Sequence, residues 1–237
     1  LRLDTGWEAS FDTAGTLVRL DDDQLPGVCR DWVTVDTALA VYDGRRGVTL
    51  ACPDAPLAQI GDFHFGREND AIAREANPLL LAWPLNNYWD TNFRASQPGA
   101  ISLTYTITPF AGPFRPEELV RRGTEAARPV QLFPAYGCPE ERSGTLLDVA
   151  ADGATVAYVK PAADGDGLIV RLQDSRGHVA AGDIAYAIRL PGAGVARAYA
   201  ANVLEDNAAE LEVADGAARG TLPAGGLATI RLCPAAR

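Results

Sequence analysis

The stretch of the chain richest in groups able to recognise a ligand is Pro84-Leu85-Asn86-Asn87-Tyr88-Trp89-Asp90-Thr91-Asn92-Phe93-Arg94-Ala95-Ser96-Gln97. Aromatic rings are interspersed there with amides, hydroxyls, a carboxylate and a guanidinium. A sugar site uses such a mixture, because an aromatic face covers the apolar face of a pyranose while Asn, Asp and Arg groups hydrogen-bond its hydroxyls. Asn86, Asn87, Trp89, Asp90, Asn92 and Arg94 are therefore the candidate substrate-binding residues. The same composition also suits a long connection in which the rings fill a core and the amides satisfy the backbone. Composition leaves both readings open.

Other reactive chemistry is thinly supplied. A catalytic zinc takes three protein ligands and a water, whereas His64 and His178 are the only histidines and neither stands in an H-E-x-x-H pattern. No G-x-S-x-G elbow is present. No catalytic residue, metal ligand or cofactor site is assigned to this chain. Cys29, Cys52, Cys138 and Cys233 form no C-x-x-C pair, and the expectation is reduced, buried, structural thiols. Gly192-Ala193-Gly194 begins like a dinucleotide loop, but Arg197 stands where its third glycine belongs. In Asp164-Gly165-Asp166-Gly167 an EF-hand register would place Ala162 and Gln173 at ligand positions, so a hairpin turn is expected instead. Asp21-Asp22-Asp23 reads as a solvated run. Carboxylates are numerous, yet a glycosidase pair is defined by a separation in space, and no sequence pattern singles one out.

The elements that must position these groups are short β-runs broken by Gly, Asp and Pro. From Ala100 to Thr108, Ile101, Leu103, Tyr105 and Ile107 alternate with Ser102, Thr104, Thr106 and Thr108, which predicts a strand with one apolar and one hydroxyl face. Ala38–Tyr42 and Val48–Ala51 flank Asp43-Gly44-Arg45-Arg46-Gly47 as a hairpin, and Val156–Lys160 and Leu168–Gln173 flank a second Gly-containing turn. Further strands are predicted at Thr16–Leu20, Trp32–Val35, Leu79–Trp83, Leu146–Val149, Ile184–Leu190 and Leu227–Leu232. Their spacing suits sandwiches rather than βαβ crossovers. One peripheral helix is predicted from Pro116, with Glu117 and Glu118 at its positive end and Pro129 as its stop.

The expected architecture is all-β: a large, supersandwich-like β-sandwich portion over residues 1–143 that carries the Asn/Trp-rich run, then a smaller C-terminal β-sandwich over residues 144–237. All four tryptophans, Trp7, Trp32, Trp83 and Trp89, fall in the first part. The chain has 237 residues, of which 47% are hydrophobic, enough to bury a core without staples. Its net charge of -10 repels phosphate backbones and anionic lipid, so nucleic acid is not an expected partner. No apolar run approaches the length of a membrane span, and no membrane partner or leader is expected. Methionine is absent and Leu1 opens in what reads as mid-strand, which suggests a piece of a longer protein.

The run Asn86 to Gln97, followed by Ile101 to Thr108 and Pro109-Phe110-Ala111-Gly112-Pro113-Phe114, resembles the C-terminal β-region of glycoside hydrolase family thirty-eight, the α-mannosidases. Leu25-Pro26-Gly27-Val28-Cys29-Arg30-Asp31-Trp32, Gly47-Val48-Thr49-Leu50, Asp54-Ala55-Pro56-Leu57 and Gln59-Ile60-Gly61-Asp62 are similar to bacterial members, as is Val159 to Leu172 further on. The resemblance implies retaining mannosidase chemistry, with an aspartate nucleophile and zinc on an N-terminal α/β domain to which nothing here corresponds. It implies for this chain a noncatalytic role, with that missing catalytic domain and a mannose-containing glycan as partners. The Asn86–Arg94 run would then contribute to the sugar pocket. The alternatives are a free-standing carbohydrate-binding module and a purely structural, adhesion-like sandwich.

Overall fold

The computed structural model describes residues 3, 6–61, 78–85, 96–137, 143–177 and 181–235. The fold is all-β with one short helix, and the chain divides into two compact units, Leu1–Val130 and Gln131–Arg237.

In the first unit, β1 (Glu8–Thr13), β2 (Thr16–Arg19), β4 (Ala38–Tyr42), β5 (Arg46–Ala51) and β8 (Thr106–Ala111) form a five-stranded antiparallel sheet in the order β2-β1-β4-β5-β8. A second sheet runs β3 (Val33–Thr34), β6 (Leu57–Ile60), β7 (Leu80–Ala82). The helix α1 spans Pro116–Ala127. Central strand β4 reads Ala-Leu-Ala-Val-Tyr and is buried at every position, because both of its faces are covered. Leu39 and Val41 meet Phe11, Val35, Ala58 and Ile60 in the core between the two sheets. Ala38, Ala40 and Tyr42 meet Leu17 and Leu119 beneath α1. The small alanines bring the helix close. Gly123 completes that approach, since a Cβ there would run into the Thr37 hydroxyl and sit 3.0 Å from the Ala38 Cβ.

Asp12 locks β1 to the start of β4. Its carboxylate accepts from the backbone N–H of Thr37 (2.9 Å) and of Ala38 (2.8 Å), and from the Thr37 hydroxyl. The predicted helix is present: Pro116 occupies its first turn, Glu117 and Glu118 lie against the N–H end, and it stops before Pro129.

The strand predicted from Ala100 to Thr108 is a correction. The ladder begins only at Thr106 and extends to Ala111. Its neighbour among the described residues, β5, ends at Ala51 opposite Thr106, after which Cys52 N–H turns to the Thr37 carbonyl (2.9 Å). Among the described residues, 101–105 thus have no partner strand, and Thr104 N–H is taken by the Asp54 carboxylate instead (2.9 Å). Alternation recognised the faces but not the missing neighbour.

The second unit holds β9 (Asp148–Ala150), β10 (Ala154–Pro161), β11 (Leu168–Asp174), β12 (Ile184–Arg189), β13 (Val195–Ala201), β14 (Asn207–Ala214), β15 (Ala217–Leu222) and β16 (Leu227–Pro234). They pair antiparallel in the order β10-β11-β16-β13-β14-β15-β12-β9. This sheet folds over on itself at β14. Val170, Leu172, Ile230 and Leu232 of one side then pack with Ile188 and Leu222 of the other, all fully buried. Asp215 and Gly216 both have positive φ (52° and 71°), the geometry of a tight two-residue hairpin turn between β14 and β15.

Candidate functional site

The six candidate residues Asn86, Asn87, Trp89, Asp90, Asn92 and Arg94 lie outside the described residues, as do His64, His178 and Cys138. The structure shows the stem from which the run departs. Just after β7, Trp83 donates its backbone N–H to the Leu57 carbonyl (3.0 Å) and its indole N–H to the Gln59 side-chain oxygen (3.3 Å). Gln59 is 1% exposed, so this bond serves a buried amide. The Trp83 ring lies 5.6 Å from that of Trp32 at an interplanar angle of 49°, within the range of favourable tilted aromatic pairs. Pro84 and Leu85 follow, both exposed. The described chain before the candidate run therefore includes a tryptophan held by a buried amide and a second ring, just after β7.

The other motifs singled out in the sequence are structural. The Asp164–Gly167 stretch is the predicted hairpin turn, closed by Ala162 N–H to the Gly167 carbonyl (2.9 Å). Its Asp164 carboxylate is held by Arg231, whose Nη1 donates to both oxygens (2.8 and 2.9 Å) and to the Asp166 carbonyl (2.8 Å). Nη2 of Arg231 donates to the Glu205 carbonyl (2.8 Å). The Glu205 side chain in turn accepts Ala163 N–H (2.8 Å) and pairs with Lys160 (2.5 Å). Arg231 holds the Asp164 carboxyl below its usual range, and Lys160 does the same for Glu205. These acids are engaged in tying the 162–167 and 202–206 turns together.

The Asp21–Asp23 run, expected to be solvated, is partly neutralised. Arg19 lies 2.8 Å from Asp22 and 3.8 Å from Asp23, and Arg30 lies 3.7 Å from Asp21. Gly192–Gly194 is a turn after β12, with Gly194 N–H bonded to the Leu190 carbonyl (2.7 Å). Cys52 and Cys233 are buried free thiols as expected, whereas Cys29 is an exposed one. Burial, aided by Asp12, pushes the Cys52 thiol up to about 11, which keeps it protonated and unreactive near neutral pH. Among the described residues no group of three or more His, Cys, Asp or Glu is placed to hold a metal ion. The described acids Asp12, Asp164 and Glu205 face N–H groups and cations, so they do not fit a zinc site.

One concave feature of the first unit was not anticipated. Alongside α1, which rests on β4 and β5, a cleft of about 630 Å³ opens toward β8, with Thr49, Thr104, Thr106 and Thr108 on the sheet side and Arg122 and Glu125 on the helix side. A smaller hollow of about 250 Å³ shares Thr49 and is walled by Phe110, Phe114 and Leu119. The alternating threonines were visible in the sequence; the helix standing beside them was not.

No protein-family model matches the chain, and no curated protein matches it.

Proposed function

We propose that this chain is the noncatalytic β-region of an α-mannosidase-like glycoside hydrolase of family thirty-eight. In this role it scaffolds a separate catalytic domain and lends the Asn86–Arg94 run to the wall of that domain's sugar cleft. The observation that carries the reading is the ordered likeness of residues from Leu25 to Leu172, centred on Asn86 to Gln97. The all-β fold in two successive units is of the kind that likeness implies. Sandwich folds host many unrelated functions, so the weight rests on the residues of the run and not on the architecture. The contacts that hold Trp83 support it too, since a recognition segment works best when it follows a well-packed residue. On this reading the nucleophile and zinc belong to the catalytic domain, and the chain contributes hydrogen bonds and aromatic surface to the glycan.

The test joins the chain to a catalytic domain of this family in place of that domain's own β-region. Trp89→Ala and Arg94→Ala are expected to raise KM for an aryl α-mannoside by about tenfold each, the loss of one good contact. Kinetics unchanged in both variants would remove the pocket role. The alternative, a free-standing carbohydrate-binding module, requires saturable binding of a manno-oligosaccharide by the chain alone that Trp89→Ala abolishes.

A further inference from the structure

We infer that the cleft between α1 and the β5–β8 face is a second binding site, one for a neutral saccharide, separate from the Asn86–Arg94 run. Its volume of about 630 Å³ falls within the range of roughly 300–1,000 Å³ usual for small-molecule sites. The character of the sheet surface changes along β8. Beneath the first turns of the helix it carries Phe110, which joins Phe114 and Leu119 in an apolar cluster. Beside the last turns, the same strand face presents Thr106 and Thr108, with Thr49 directly opposite Thr108 in register. Protein interiors are close-packed, and a helix lying on a sheet ordinarily closes such a gap with aliphatic side chains. A row of hydroxyls in an open hollow is instead a surface that water or a polar ligand must satisfy.

The chemistry of the lining selects the ligand. Each threonine hydroxyl can both donate and accept, as a sugar hydroxyl does. Along β8 the hydroxyls recur at about 7 Å and across to β5 at about 5 Å, a grid able to meet successive hydroxyls of a di- or trisaccharide. On the helix side Arg122 is held by Glu118 (3.2 Å) and Glu125 (3.6 Å), which presents fixed donors and acceptors with little net charge. Asp54, steadied by Thr104 N–H, adds an acceptor at the end of the row. Ala51, Ala126 and Pro129 supply apolar patches for the C–H face of a ring. Two carboxylates, Asp54 and Glu125, stand against one guanidinium on a protein of net charge -10, a balance that disfavours phosphate and sulfate.

The experiment is calorimetric titration of the full 237-residue chain with mannobiose, maltose and cellobiose. At least one is expected to bind saturably in the millimolar range. That binding is expected to weaken by about tenfold or more in Thr106→Val/Thr108→Val, where two hydroxyls become methyls at unchanged volume, and to persist in Trp89→Ala. Glu125→Gln, on the exposed helix surface, provides a second variant that should weaken binding without disturbing the sheet. No saturable heat from any of the three sugars up to about 50 mM would overturn the inference. So would binding that is unchanged in the valine pair, or binding lost in Trp89→Ala yet retained in the valine pair, which would assign the sugar to the Asn86–Arg94 run.

Discussion

Arg231 is 5% exposed and makes one side chain serve two turns, because its planar fork reaches Asp164, the Asp166 carbonyl and the Glu205 carbonyl together. Lysine has the charge but not the fork. Arg231→Lys should therefore lower the thermal midpoint, and Arg231→Ala should lower it further; equal midpoints for all three proteins would contradict this reading. Acid dependence follows from the same contacts. Asp164, held by Arg231, and Glu205, held by Lys160, have folded-state values below the ordinary carboxylate range. Asp174 is also low: burial opposes ionisation there, but Arg176 and the Gly225 N–H outweigh it. A lowered folded pKa means that the unfolded chain takes up protons first as the pH drops. The stabilisation is complete above the ordinary carboxylate range of about 4 and is lost as the pH falls through the lowered values. Urea midpoints should change little from these groups between pH 7 and 5 and fall below about pH 4, and a midpoint that is level down to pH 3 would contradict it. At Gly123 two effects oppose each other. Alanine improves helix propensity by up to about 1 kcal/mol, but its Cβ would strike the Thr37 hydroxyl beneath a closely seated helix. The clash is expected to win, with a net destabilisation of about 1–2 kcal/mol in Gly123→Ala by urea unfolding.

At the scale of elements, what could be read depended on where the local signal and the tertiary environment agree. The β4–β5 hairpin was legible because Asp43-Gly44 stands between two β-branched or aliphatic runs, and the structure closes it with Asp43 N–H on the Arg46 carbonyl (3.1 Å). Helix α1 was legible from Pro116, the first-turn glutamates and Pro129. Strands β13 to β15 were not. Asn207–Ala214 reads Asn-Ala-Ala-Glu-Leu-Glu-Val-Ala, a composition that favours helix, and it is a strand because β13 and β15 hydrogen-bond it from both sides. The Asp215-Gly216 pair was the available clue to that hairpin. β1 was missed for a related reason: Glu-Ala-Ser-Phe-Asp-Thr alternates poorly, since Asp12 and Ser10 are buried polar residues with dedicated partners. Removing the Asp12 partner exposes the cost. Asp12→Ala leaves the buried Ala38 N–H and the neighbouring Thr37 N–H without an acceptor, and should destabilise the first unit by about 2–3 kcal/mol in urea unfolding. A change below about 0.5 kcal/mol would show that water replaces the carboxylate without cost.

For the whole molecule, the all-β character was within reach of pattern reasoning, because short alternating runs and closely spaced turns leave no room for βαβ crossovers. The candidate site rests on residue type and lies outside the described residues. Asn86, Trp89 and Arg94 stand out by residue type alone, and the described structure reaches only as far as Trp83, Pro84 and Leu85 before them. The cleft beneath α1 was half visible, as an alternating threonine face whose opposing wall is about twenty residues distant in sequence. The central claim is that the recognising surface resides here while the reacting groups reside on a catalytic domain. The most direct measurement is turnover of an aryl α-mannoside by the purified 237-residue chain, alone and joined to a family thirty-eight catalytic domain lacking its own β-region. The account predicts hydrolysis only in the joined protein, whereas hydrolysis by the chain alone, abolished by a chelator, would contradict it.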